Sequence, residues 1–327
     1  MQRSYRYHQK RYQVVTALFL SAGFGLLLLG GEFLVRGSVA IALKLRVSKV
    51  IIGLTLVAFA TSAPELIVSV IAAMKGKSAI ALGNVLGSNI ANVGLILGLT
   101  ALLYKMEAIR LTYRKDWLFL LGANVLLGGF LLSGGISFVQ GMLLVVTLLV
   151  YNVLKIRSAR IERASATIAQ DIDVPAMPLW QGLMLLIIGA VGLKYGAQLF
   201  VSGIVTFASQ WGWSERLVAV SLVAFGTSVP ELASSLMAAR KGEADIAIGN
   251  IIGSNIFNIL SVLGFTALIQ PIELSDQALL YIDFPISLLF TLLLIPLMGV
   301  LKSDRLDRVE GAILLISYII FMTYLFI

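Results

Sequence analysis

Apolar runs of membrane-spanning length follow one another along this chain from end to end. Ten can be bounded, at residues 13–43, 50–74, 79–104, 117–133, 136–154, 179–208, 216–239, 244–269, 277–300 and 306–327. A helix needs roughly 20 apolar residues to cross a bilayer core. The apolar positions are continuous and do not alternate with period two, which argues against the strands of a membrane barrel. Helices and closed barrels are the only spanning structures, because lipid cannot satisfy unpaired backbone groups. The pattern therefore predicts an all-α polytopic membrane protein with about ten transmembrane helices. The longest polar connection, residues 155–178, is too short for a folded domain.

The pattern also repeats. When the chain is shifted by 166 residues, 28 of the 50 positions in 53–102 are identical to those in 219–268. AFATSAPEL meets AFGTSVPEL, and GNVLGSNIAN meets GNIIGSNIFN. Shared apolar composition does not produce such agreement, whereas two related halves do. Each half holds five runs, and five is odd, so the second half enters the membrane from the opposite side. The expectation is two inverted five-helix repeats, 13–154 and 179–327, joined by the 155–178 linker. In that architecture the binding site lies near the bilayer midplane, where the halves meet.

Composition agrees with a membrane protein and adds orientation. The 327 residues are 59% apolar and 13% charged, with mean hydropathy +0.95. The net charge of +8 is read as topogenic and not as a nucleic-acid surface, because the basic residues sit in connections. Loops on the side reached after the first run hold 16 Lys and Arg, against 7 on the other side. The positive-inside rule then places that first side, with the linker, in the cytoplasm and both termini outside. The first twelve residues are basic and polar, and no small-residue cleavage site follows, so no cleavable signal is expected. The absence of cysteine excludes disulfides, thiolate metal sites and thiol chemistry.

The candidate chemistry sits in the repeated segments. Each half places one carboxylate deep in an apolar run, Glu65 and Glu231. Central acidic residues are costly in a membrane and are functional by default. Both follow a proline, and Pro64 and Pro230 cannot donate a backbone hydrogen bond and clash with the preceding turn. Opened turns are therefore expected at both, with free carbonyls around Ala58–Thr61 and Ala224–Thr227. Thr61 and Glu65 share a helix face, and Ser62 and Ser228 sit beside the acids. In the partner motif, Asn84, Ser88 and Asn92 recur at i, i+4 and i+8 on one face, as do Asn250, Ser254 and Asn258. Gly83, Gly87, Gly249 and Gly253 permit close helix approach. Asn89 and Asn255 lie on another face, where gluing helices and binding ions are both open readings. Glu32 and Arg36, four residues apart but not duplicated, read as a local ion pair. Lys194 is expected to snorkel or to face water. All candidate ligands are oxygens, which suits calcium, sodium, magnesium or protons in preference to zinc or copper.

These motifs resemble the two alpha-repeats of the cation/calcium antiporter superfamily, which includes sodium/calcium exchangers. The resemblance covers both repeats and, more loosely, the ten-segment plan. It implies a calcium site built by Glu65 and Glu231, with backbone oxygens at Thr61 and Thr227. It implies one sodium site from Ala58, Thr61, Ser62 and Ser254, and another from Ala224, Thr227, Ser228 and Ser88. Asn92 lies beside the centre. The runs 13–43 and 179–208 become the long helices that slide to alternate access. One departure stands out: many members, the sodium-driven ones among them, carry Asp where this chain has Asn258. That leaves two central carboxylates and keeps both sodium and protons open as the coupling ion.

The reading is a calcium antiporter of a bacterial or archaeal inner membrane, with calcium and monovalent cations as cargo. No cofactor, nucleic acid or obligatory protein partner is expected. A channel fits less well, since many oxygens at one place hold an ion instead of releasing it. An intramembrane enzyme is disfavoured: the chain has no His-Glu-x-x-His pattern, and its one histidine, His8, lies outside the membrane.

Overall fold

The computed structural model describes residues 2–45, 47–107, 110–166, 177–210, 215–297 and 305–326. Every apolar run bounded in the sequence carries helix. The first run is α1 (Gln2–Leu45). The second comprises α2 (Lys49–Ile52), a π-helical turn (Gly53–Val57), α3 (Ala58–Thr61) and α4 (Ala63–Met74). The third joins α5 (Ser78–Ala91), a π-helical turn (Asn92–Leu97) and α6 (Gly98–Leu103). Then come α7 (Arg110–Leu132), α8 (Phe138–Ala166), α9 (Leu179–Gln210) and α10 (Glu215–Arg240). The eighth run joins α11 (Ala244–Phe257), a π-helical turn (Asn258–Leu263) and α12 (Gly264–Ile269). A further π-helical turn (Leu279–Asp283) leads into α13 (Phe284–Leu297), and α14 (Arg308–Phe326) ends the series. The α5–π–α6 boundaries recur in α11–π–α12 at a shift of 166 residues, so the sequence repeat is also a backbone repeat.

Among the described residues seven helices are long and apolar enough to cross a membrane, and the second run is an eighth if its two parts, bent by 43° at Ser62, count as one. The chain is thus a helical membrane protein. Burial sorts the helices by polarity. The two Asn-bearing runs, 78–103 and 244–269, are 78% and 89% buried, whereas 138–158 and 308–325 are only 22% buried. Many exposed side chains on α8 and α14 are apolar, among them Val139, Leu149, Ile316 and Ile320, as lipid contact requires. Polar helices therefore occupy the middle, shielded by apolar ones.

Glycines set the tightest approaches. In the contact between α1 and α9, a Cβ on Gly37 would stand 2.6 Å from the Gly182 carbonyl oxygen, and one on Gly196 2.9 Å from the Leu27 nitrogen. Small residues let membrane helices approach backbone to backbone. The halves are intertwined by the same device. Gly98 of α6 meets Gly311 of α14, and Gly264 of α12 meets Gly141 of α8. The final helix of each half thus packs on the Asn-bearing run of the other. Gly249 and Gly253 do press on α2, the first π turn and α3, with a Gly253 Cβ 2.6 Å from the Leu54 carbonyl oxygen. Gly83 does not act this way: a Cβ there would meet only the Leu279 side chain, at 3.6 Å.

Two antiparallel strand pairs close the ends. Strand β1 (Met106–Glu107), β2 (Gly135–Ile136), β3 (Ile272–Glu273) and β4 (Arg305–Leu306) pair as β1 with β4 and β2 with β3. Gly135 needs its φ of 138° to bring its backbone against β3, where a side chain would strike the Ile272 carbonyl.

The structure departs from expectation in three places. Helix α8 continues to Ala166, twelve residues into the polar connection, because a charged helix remains stable in water beyond the membrane; residues 167–176 of that connection lie outside the described residues. Helix α1 likewise starts at Gln2, well ahead of residue 13. The third departure concerns Pro230. The helix is interrupted before Pro64, at Ser62, but α10 runs unbroken past Pro230. The residue four before Pro230 is Gly226, where the first half has Ala60; glycine at that point leaves the proline ring more room.

Gly37→Ala should force α1 and α9 apart and lower the thermal midpoint, by an amount corresponding to about 1–3 kcal/mol of overpacking. Gly25→Ala on the same helix, where a Cβ meets nothing within 4 Å, should leave the midpoint unchanged. Fluorescence-detected unfolding in detergent measures both.

Candidate cation-binding site

Local sequence places the first carboxylate. Ser62, at φ −82° and ψ 3°, ends α3 and starts α4. Pro64 then falls in the first turn of α4, where a missing N–H costs nothing. Glu65 follows in the same turn, at the positive end of the helix dipole. Glu231 comes from the interior of α10, directly after Pro230. Both carboxylates are fully buried, at 0% exposure.

The helices α5 and α11 bring the polar stripes to them. Ser62 Oγ donates to Glu231 Oε1 at 3.3 Å. The Thr61 hydroxyl donates to Asn250 Oδ1 at 3.1 Å and lies 3.4 Å from Ser254 Oγ. The second half mirrors the Thr–Asn bond, with Thr227 donating to Asn84 Oδ1 at 3.2 Å, and there Ser228 donates to Ser88 Oγ at 3.3 Å. Thr61, Ser62, Ser88, Asn92, Thr227, Ser228, Ser254 and Asn258 are all buried. Each threonine of one half is thus held by an asparagine of the other. The sequence-predicted residues come together with two exceptions. The Ala58 carbonyl is not free, since it accepts the Ser62 N–H at 2.9 Å. Ala224 lies within α10, and its side chain is outside the described residues.

Five buried side-chain oxygens here accept no hydrogen bond: both of Glu65, Oε2 of Glu231, Oδ1 of Asn92 and Oδ1 of Asn258. Buried polar atoms are nearly always paired, and an orphan needs an explanation. A cation supplies one, because it satisfies oxygens that no donor reaches. Among the described residues no three His, Cys, Asp or Glu side chains gather; the acidic side chains of this cluster are the two glutamates.

Several participants left a weaker mark in the sequence. Ser69 accepts from Asn84 Nδ2 at 3.0 Å. Ser234 and Ser235 accept from Asn250 Nδ2 at 3.0 and 3.2 Å. Ser69 and Ser235 are identical across the 166-residue shift and lie four residues after their glutamates, a signal that was available. Asn89 and Asn255 bond across the halves. The Glu32–Arg36 pair is present at 2.5 Å, but Glu32 also binds Lys241, at 2.6 Å, tying α1 to the end of α10. Lys194 places its ammonium 5.5 Å from the Tyr195 ring centre.

Comparison with known proteins agrees with this geometry. The family model for sodium/calcium exchanger protein matches residues 15–157 and 181–327. The chain is 39% identical over 317 residues to CaxA of Alkalimonas amylolytica, covering 96% of this chain and 99% of that one. It is 32% identical to the sodium/calcium exchanger MaX1 of Methanosarcina acetivorans, covering 95% and 99%. Inner membrane protein YrbG of Escherichia coli is 32% identical, covering 96% and 97%. A solved structure of the sodium-calcium exchanger NCX_Mj, soaked with sodium and calcium, superposes with a TM-score of 0.79 at 30% identity, over 95% of this chain and 98% of that one.

Uncompensated buried carboxylates destabilise a fold. In buffer free of calcium and sodium, Glu65→Gln should therefore melt above the parent. Adding calcium should reverse the order, since an ion at 100 times its Kd stabilises its site by about 2.7 kcal/mol. Thermal unfolding with and without calcium reads both halves of the prediction.

Proposed function

The chain belongs to the sodium/calcium exchanger family, and we propose that it is a secondary antiporter that moves calcium across the membrane in exchange for sodium by alternating access. The observation that carries the reading is the cluster of five undonated oxygens around two buried carboxylates. Two glutamates neutralise one divalent ion, or two monovalent ones. Calcium accepts six to eight oxygens in flexible geometry, and hydroxyl, amide and carboxylate oxygens are its usual ligands. On this reading Glu65 and Glu231 hold calcium, with Thr61, Thr227, Asn92 and Asn258 around it. The contacts Thr61–Ser254 and Ser228–Ser88 support two flanking sodium sites, one of Ala58, Thr61, Ser62 and Ser254 and the other of Ala224, Thr227, Ser228 and Ser88.

The transport cycle rests on the inverted ten-helix plan. The strand pairs support it. With ten crossings, β1 and β4 fall in the third-to-fourth and ninth-to-tenth connections, which share one face; β2 and β3 fall in connections of the other face. Each pairing thus joins connections that the inverted plan puts together. The glycine-lined contact of α1 with α9 supports these two long helices moving as one unit over the central core. The relative named an inner membrane protein and the excess of basic residues in the first-side loops support insertion in an inner membrane with the 155–178 connection cytoplasmic.

Exchange of calcium for protons is the second reading, and the amide at Asn258 favours keeping it: with two carboxylates and no third, the site lacks the additional acid carried by many sodium-driven members. Calcium-45 uptake into proteoliposomes separates the two. Uptake should follow an outward sodium gradient and vanish when choline replaces sodium. Uptake driven by a pH gradient alone would move the assignment to proton exchange. Glu231→Gln should abolish uptake, a loss of at least about 100-fold given the several kcal/mol at stake when one partner of a buried charged site is removed, while the protein remains folded by circular dichroism.

A further inference from the structure

We propose that Asn89 and Asn255, which are not themselves ion ligands in the reading above, are positioning residues that aim the amide oxygens of Asn258 and Asn92 at the ion. The geometry is a crossed set of four amides. Asn89 Nδ2 donates to the backbone oxygen of Asn255 at 3.4 Å, and Asn255 Nδ2 donates to the backbone oxygen of Asn89 at 3.5 Å. The two residues are 166 positions apart, so each is the other's repeat equivalent, and the local pseudo-twofold axis runs between them. A backbone carbonyl can only accept. Turning either amide over would set oxygen against oxygen, so the two carbonyls fix which end of each amide faces them.

That choice propagates. With its nitrogen engaged, Asn89 presents Oδ1 to Asn258 Nδ2 at 3.0 Å, and Asn255 presents Oδ1 to Asn92 Nδ2 at 2.9 Å. The nitrogens of Asn258 and Asn92 are thereby held away, and their Oδ1 atoms are left buried without a donor. All four side chains are at most 2% exposed, so no solvent competes for these donors. The sequence motif S-N-I-x-N then has a physical division of labour. Its second asparagine offers an oxygen to the cation, and its first holds the second asparagine of the opposite half in the orientation that makes the offer. Because the clamp crosses between halves, it also fixes α5 against α11 at the level of the site. A divalent cation that needs several preset neutral oxygens beside two carboxylates depends on this orientation more than a monovalent one.

The inference rests on the calcium reading, and a double-mutant cycle on calcium affinity of the purified protein tests it separately. Asn89→Leu should weaken calcium binding by about 10–100-fold, the usual cost of removing a group that orients a ligand. That effect should disappear when Asn258 is already Leu, and persist when Asn92 is already Leu; Asn255→Leu should show the opposite pairing. A residue that merely holds helices together would lower thermal stability with equal effects in both backgrounds, and that result overturns the proposal. If a leucine variant does not fold, Asn89→Ser and Asn255→Ser serve in the same cycle, since a serine hydroxyl is too short to reach across. A parent protein that binds no calcium would refute the transport reading itself; a parent that binds calcium but shows no pair-specific coupling refutes only the clamp.

Discussion

Two fully buried carboxylates, one from each repeat, are the constraint on which this structure turns. Glu65 and Glu231 come from opposite halves and are closed off from water, and Ser62, three residues before Glu65, donates to Glu231. A pair of carboxylates buried within a membrane is costly and needs polar groups around it. The polar groups in turn cannot face lipid. This is why the two Asn-bearing runs are the most buried candidate spans and those of α8 and α14 the least.

The same constraint explains the intertwined packing. A site made by one half could sit inside that half. A site shared by equivalent residues of both requires the halves to meet face to face. The hydroxyl–amide pairs Thr61–Asn250 and Thr227–Asn84 cross the interface, as do the Asn89–Asn255 contacts. The glycine contacts Gly98–Gly311 and Gly141–Gly264 lock it on the outside. The π-helical turns at Asn92–Leu97 and Asn258–Leu263 begin at the residues whose oxygens are left without donors. Such turns are frequent at functional sites because they shift the register of the side chains that follow. Packing, polarity and backbone irregularity thus converge on one place.

Much of this was legible in the sequence, for a physical reason. Membrane helices announce themselves by unbroken apolar length, and a duplicated site announces itself by repeating its polar residues at a fixed shift. Glu65, Glu231, the Asn–Ser stripes and the flanking Thr and Ser were visible on those grounds. What was not visible depends on tertiary context. Pro64 and Pro230 read alike, yet only the first coincides with a break, at Ser62, while α10 runs on through Pro230. Lys241 binding Glu32 joins residues more than 200 positions apart, and no spacing rule reports it. The polarity of the amides at Asn89 and Asn255 follows from carbonyls that face them only in the assembled core. The end of α8 was missed because hydropathy marks where lipid stops, not where helix does.

The central claim is that one calcium ion is held by both glutamates at once. Equilibrium dialysis of the purified chain against calcium-45, with and without sodium, tests it most directly. The account predicts one calcium per chain, displaced by sodium, and no retained calcium when Glu65 and Glu231 are both Gln. Calcium held with undiminished affinity by that double variant would contradict it.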